Sequence, residues 1–218
     1  MLVGHFAVGF VGKRVEPKLS LGTLVLAAML ADFMWVFFLL AGIEQVQLRP
    51  GRGAANYGVA VNIAWSHGLL TDAVWAALFA AAYFLRRRHA RGAWVLFAAV
   101  LSHWLLDFVA HRPDMPLAPG VHRYFGLGLW ASVPATVIVE GGFWLLAVIM
   151  YVRATRPKHW AGVYAFWPVV ALLTLAWYNN VAGPPPPNPR AAPVASLVFF
   201  SLAVAWAYWM NRLRPARA

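Results

Sequence analysis

The chain has 218 residues, of which 62% are hydrophobic and 11% charged, with a mean hydropathy of +0.64. A soluble domain carries about 25% charged residues, so this composition excludes a soluble globular enzyme and marks an integral membrane protein. The net charge of +11 does not point to nucleic acid, because the Lys and Arg residues cluster between apolar runs, where they set topology and meet anionic lipid headgroups; the absence of cysteine excludes disulfides and thiolate metal ligands.

Long apolar runs recur along the whole chain, which predicts an all-α, polytopic helical membrane protein forming one domain over 1–218. Residues 1–12 are apolar but too short to cross about 30 Å of hydrocarbon at 1.5 Å per residue. They predict a short half-membrane helix carrying His5, followed by a basic linker from Lys13 to Lys18. The first full span is expected over 20–43, with Asp32 near its middle. A loop rich in glycine and polar residues, from Glu44 to about Asn62, leads to a second span over about 63–85, which holds His67 near its start and Asp72 beyond it. A third span over 93–110 ends at His111-Arg112-Pro113-Asp114. The fourth, about 129–152, carries Glu140, and the fifth covers about 160–181. The run Gly183-Pro184-Pro185-Pro186-Pro187 reads as a stiff extended connector to a sixth span over about 192–210.

Orientation follows from the basic residues. Lys13, Arg14, Lys18, Arg86, Arg87, Arg88, Arg91, Arg153, Arg156, Lys158, Arg212, Arg214 and Arg217 fall on one side of six spans. Arg49, Arg52, Arg112, Arg123 and Arg190 fall on the other. The positive-inside rule places the richer side, and with it the C-terminus, in the cytoplasm; the expected location is a bacterial inner membrane.

The chemistry concentrates in Leu101–Asp114, LSHWLLDFVAHRPD, where His103, Asp107 and His111 recur every four residues. On a helix, residues four apart lie on one face, so the three predict a polar stripe within a membrane span. Counted at 1.5 Å per residue, His5, Asp32, His67, Asp72, His103, Asp107 and Glu140 occupy overlapping depths between the midplane and the outer surface. A bare carboxylate at the centre of a span costs roughly 2.5–3.5 kcal/mol on insertion scales. No Lys or Arg lies within the spans to offset it. A divalent cation is a partner that satisfies both imidazole nitrogens and carboxylate oxygens. Such mixed ligands suit zinc, with manganese or iron as alternatives. Asp72 is five residues from His67, about 140° round a helix, so it is expected to orient a ligand or bind a second ion, and either Asp72 or Glu140 is expected to move the proton. His89 and His159, among basic residues, read as surface groups, and His122 as either a phosphate contact or a loop residue.

Two other readings use the same residues. Buried Asp, Glu and His also form proton or ion relays in transporters, although the stretches LFAAV and LLAVIM, in the cytoplasmic halves of the third and fourth spans, are uniformly apolar. A scaffold without catalysis, in which His103 and Asp107 are a structural pair between helices, is the remaining alternative.

Gly4-His5, Ala31-Asp32, Ser66-His67 and Leu101-Ser102-His103-x-x-x-Asp107 together resemble the YdjM-like family of bacterial membrane-bound, metal-dependent hydrolases, whose ligand pattern is similar to that of zinc-dependent phospholipase C. The resemblance covers roughly the first half of the chain. It implies a multi-helix inner-membrane protein acting on a lipid-borne ester or phosphoester, with His5, Asp32, His67, His103 and Asp107 as metal ligands. Family members carry Pro-Asp-x-Asp-His at the first acidic site and Thr-His-Ser at the next; this chain has Ala31-Asp32-Phe33-Met34-Trp35 and Ser66-His67-Gly68, and His111, Asp114 and Glu140 are candidates to compensate. The expected partners are membrane lipids and a lipid-like substrate.

Overall fold

The computed structural model describes residues 1–48, 58–183 and 192–217. The connector at Pro184–Pro187, and Arg49, Arg52 and Arg190, lie outside the described residues. Among the described residues ten α-helices carry the fold: α1 (Leu2–Val15), α2 (Leu21–Ala28), α3 (Leu30–Leu40), α4 (Ala64–His67), α5 (Leu69–Arg87), α6 (Ala90–Ala110), α7 (Val133–Ala154), α8 (Ala161–Tyr164), α9 (Trp167–Ala182) and α10 (Ala192–Leu213). Among the described residues, five helical stretches are long and apolar enough to cross a membrane, and the bent pair α2–α3 makes a sixth. The all-α polytopic architecture is therefore as expected.

Side chains are distributed as a bilayer requires. Leu70, Val74, Leu78 and Leu85 of α5, Ile138 and Leu145 of α7, and Leu172 and Leu175 of α9 all point outward. The buried set instead includes His5, His67, Asp72, His103, Asp107 and Glu140. In water such an arrangement would expose apolar surface and desolvate charge; in hydrocarbon the apolar exterior is the favourable one.

Helix α1 occupies the middle of the bundle, packed on α7, α2 and α6. Its aromatic residues anchor the main core: Phe10 lies 4.7 Å from the Tyr151 ring and 5.2 Å from Trp144, centroid to centroid. It approaches α2 closely because Gly9 faces Val25, where a Cβ would stand 2.8 Å from Val25 Cγ2. The helix runs to Val15 rather than stopping at Gly12. Lys13 Nζ donates to the carbonyls of Pro17 (2.8 Å) and Leu19 (2.7 Å), which turns the linker back and keeps the buried ammonium hydrogen-bonded.

Three local departures from the sequence reading matter for the site. The span expected to run unbroken over 20–43 bends by 54° between α2 and α3. Neither Pro nor Gly sits at the break; instead His103 Nδ1 lies 2.8 Å from the Ala28 carbonyl, a side chain inserted into the hydrogen-bond ladder, which is an identified cause of helix kinks. The loop from Glu44 contains an antiparallel strand pair, β1 (Gln45–Leu48) with β2 (Gly58–Val61), register Gln45 to Val61. The second span begins as α4 and is interrupted at Gly68, whose extended conformation (ψ 139) separates it from α5.

At one end of the bundle the end of α1 meets the start of α6, and the end of α7 meets the chain after α10. Arg91 Nη2 reaches the Val15 carbonyl (3.0 Å), and Arg217 N the Ala154 carbonyl (2.8 Å). This is the basic end, as the distribution of Lys and Arg predicts.

Candidate metal centre

Four elements bring their polar residues to one point. Helix α6 supplies His103 and Asp107, one turn apart and 1% and 3% exposed. Asp32 comes from the first turn of α3, His67 from α4, and His5 from the first turns of α1. From the basic start of α6 to His103 is roughly 20 Å at 1.5 Å per residue, so the cluster lies in the half of the bundle away from the basic end.

The distances form a closed ring. His103 Nε2 is 3.3 Å from Asp107 Oδ2 and 3.8 Å from Asp32 Oδ1. His67 Nε2 is 3.7 Å from Asp32 Oδ1 and 4.0 Å from Asp107 Oδ2. Ligands with bonds of about 2.0–2.1 Å to a tetrahedral ion lie about 3.3 Å apart. Within the ring, the ligand atoms of Asp32, His67 and His103 all lie within 4.8 Å of one another, close enough to hold one ion. Among the described residues His103 Nε2 makes no hydrogen bond, although it stands 3.3 Å from Asp107 Oδ2, and it is a buried nitrogen whose lone pair an ion would satisfy. The donor set of two imidazoles and two carboxylates fits a divalent cation.

His5 also joins the cluster, by a different route. Its Nε2 is 3.2 Å from the other carboxylate oxygen, Asp107 Oδ1, and its ring stacks on His103 at 3.7 Å and 5°. The Met1 nitrogen contacts the same Asp107 oxygen and lies 3.0 Å from His5 Nε2. His5, His103 and Asp107 form a second group within ligand distance. Because His103 Nδ1–H donates to Ala28 and only Nε2 remains, the two groups sharing His103 are alternatives for one ion through that nitrogen.

The orientation of His67 is set from outside the cluster. Its Nδ1 lies 2.7 Å from Ser66 Oγ, and Ser66 Oγ lies 2.7 Å from Glu44 Oε2. A carboxylate can only accept, so the serine donates to Glu44 and accepts from His67 Nδ1–H, which leaves Nε2 free to face the cluster. Glu44 Oε1 accepts the amides of Ser66 (2.8 Å) and Trp65 (3.0 Å), capping α4. Burial pushes the Glu44 carboxyl up from its ordinary value, against the Ser66 hydroxyl and these amides. Glu44 and the orienting role of Ser66 were not legible in the sequence: a glutamate after an apolar span, 22 residues before its serine, has no spacing signal.

Asp32 is the most exposed member of the cluster. Its side chain is 20% exposed, against 1–8% for the other four. Asp72 is fully buried, with no hydrogen-bond partner for either oxygen among the described residues, and lies within electrostatic reach of His103 and His67.

Two expected site residues are elsewhere. His111 does not complete the stripe with His103 and Asp107: α6 ends at Ala110, and His111 takes an extended conformation (φ −72, ψ 150) that swings it off the helical face. Its Nδ1 pairs with Asp114 Oδ1 at 3.0 Å, and its ring lies 4.6 Å from Trp130. Asp114, partly buried, is thereby occupied by His111 and by Arg112 Nε at 3.4 Å. Glu140 is buried but faces the start of α1, where Oε1 accepts Gly4 N–H (3.4 Å) and Oε2 accepts Trp130 Nε1–H (3.5 Å). It satisfies one of the amides that a helix start leaves open.

Comparison with protein-family models, with curated proteins and with solved structures finds no match for this chain.

Proposed function

We propose that the protein is a membrane-embedded, metal-dependent hydrolase of the YdjM-like kind, acting on a lipid-borne ester or phosphoester. The observation that carries this reading is the ring of Asp32 Oδ1, His67 Nε2, Asp107 Oδ2 and His103 Nε2, with sides of 3.3–4.0 Å. Asp32, His67, His103 and Asp107 would hold the ion, zinc being the metal this donor set suits best, and His5 would steady the second oxygen of Asp107. A divalent cation in such a site supplies Lewis acidity, polarising a carbonyl or phosphoryl oxygen and making hydroxide available near neutral pH.

The chain's own groups complete the chemistry. Asp72, a carboxylate without a hydrogen-bond partner among the described residues and within electrostatic reach of His103 and His67, takes the proton released when water attacks and returns it to the leaving oxygen. Substrate enters past Asp32, the exposed member of the cluster, in the half of the bundle away from the basic end. With the basic end in the cytoplasm of a bacterial cell, that half faces the outer leaflet of the inner membrane.

The test is elemental analysis of the detergent-purified chain beside a His103→Ala, Asp107→Ala variant of unchanged helicity. Near-stoichiometric zinc, manganese or iron in the parent and none in the variant supports the reading, and hydrolysis of chromogenic phosphodiester and ester lipids by the parent alone completes it. No metal in either protein after adding each ion back overturns it.

A further inference from the structure

A groove of about 1080 Å³ opens at the basic end of the bundle, far from the metal centre, between the start of α2, the last turns of α5 and the last turns of α10. Its lip carries Lys18, Arg86, Arg87 and Arg212, and its walls descend along Phe79, Ala82, Tyr83 and Tyr208 into the apolar part of the spans. The floor is polar at the mouth: Thr23 Oγ1 and Tyr208 OH are 3.1 Å apart, and Ser20 Oγ lies 2.7 Å from Thr23 Oγ1. The four cations come from three elements distant in sequence, so the fold gathers them.

Their charge is unbalanced within the described residues. Glu16, the nearby acid, is taken by Arg91, Nε to Oε2 at 3.2 Å, with His89 at 3.7 Å. Lys18, Arg86, Arg87 and Arg212 have no carboxylate within ion-pair distance among the described residues. The volume exceeds the roughly 300–1,000 Å³ of ordinary small-molecule pockets, and the site combines a cationic mouth with the apolar surfaces of Phe79, Ala82, Tyr83 and Tyr208, beside the polar Ser20, Thr23, His89 and Asn211. That pairing complements an anion carrying hydrocarbon chains, not a free anion.

We propose that this groove binds one anionic phospholipid, its phosphate between Arg86, Arg87, Arg212 and Lys18 and an acyl chain along Phe79, Tyr83 and Tyr208. The lipid bridges α5 and α10 and fastens the two sides of the basic end to each other. Basic pockets between membrane helices recognise phospholipid headgroups by this combination of charge and apolar contact.

Native mass spectrometry of the full chain, purified in mild detergent and titrated with phosphatidylglycerol or phosphatidylcholine of identical chains, tests the site. The parent is expected to retain one phosphatidylglycerol at least ten-fold more tightly than phosphatidylcholine. An Arg86→Gln, Arg87→Gln, Arg212→Gln variant should lose about 100-fold of that affinity. An Arg153→Gln, Arg156→Gln, Lys158→Gln variant removes the same charge outside the groove and should stay within three-fold of the parent. Ala82→Trp keeps every charge but fills the groove, and should also release the lipid. Equal loss in the two triple variants, equal retention of the two lipids by the parent, or full retention by Ala82→Trp each overturns the proposal.

Discussion

Ser66→Ala isolates the contribution of the Glu44–Ser66–His67 chain to the metal centre. The substitution removes the acceptor of His67 Nδ1–H at 2.7 Å and the donor to Glu44 Oε2 at 2.7 Å. It leaves the Ser66 and Trp65 amides on Glu44 Oε1 at 2.8 and 3.0 Å, so the cap that starts α4 survives. What is lost is the restraint on the His67 tautomer and ring orientation, with a buried N–H left without a partner. Groups that orient a ligand histidine are worth about 10–100-fold in metal affinity, or roughly 1.4–2.8 kcal/mol at 1.4 kcal/mol per factor of ten. Because only the side-chain link is broken, Ser66→Ala should fall at the lower end, about ten-fold, and Glu44→Ala, which also uncaps α4, near 100-fold. The assay is competition for zinc between the detergent-purified chain and a chelator of known affinity, with the thermal midpoint recorded for each variant. A folded Ser66→Ala protein that holds zinc as tightly as the parent would refute the reasoning, as would Glu44→Ala proving no worse than Ser66→Ala.

Asp72→Asn should keep its metal and lose at least about 100-fold in hydrolysis rate; parallel elemental analysis and turnover on a lipid ester check it, and loss of metal would instead make Asp72 a ligand. His111→Ala should leave metal content and activity unchanged, since the residue pairs with Asp114 away from the cluster. His5→Ala should weaken zinc binding by about 10–100-fold without abolishing it, as expected of a group orienting Asp107; the same chelator competition separates this from the complete loss expected of a direct ligand. Gly9→Ala places a Cβ 2.8 Å from Val25 Cγ2 and should cost about 1–3 kcal/mol by overpacking. Gly142→Ala, with nothing within 4 Å of the new methyl, should be neutral or gain about 0.5–1 kcal/mol from helix propensity; denaturation midpoints of the two variants in detergent decide between them.

Several features needed only the sequence. The bilayer admits only helices and closed barrels, so apolar runs of about 20 residues separated by basic clusters suffice to place the spans, and the basic end follows from counting Lys and Arg. The spacing of four between His103 and Asp107 survives folding because both lie inside α6, whose periodicity puts them on one face. Periodicity fails where the helix ends: His111 obeys the same spacing but falls one residue beyond Ala110, so its backbone no longer follows the helical turn. It fails again at Met29, where the 54° bend has no Pro or Gly to announce it and is associated with a hydrogen bond from His103, 75 residues away in the chain. The choice between Asp72 and Glu140 was likewise beyond the sequence. Both are buried acids within spans, and only packing directs Glu140 to the Gly4 amide at the start of α1 while leaving Asp72 without a hydrogen-bond partner among the described residues. Composition and local periodicity thus determined that this protein is a helical bundle with ionisable groups inside it. Which of those groups face one another was decided by tertiary contacts between α1, α3, α4 and α6, because a few tenths of an ångström between residues on different helices have no signature in a linear chain.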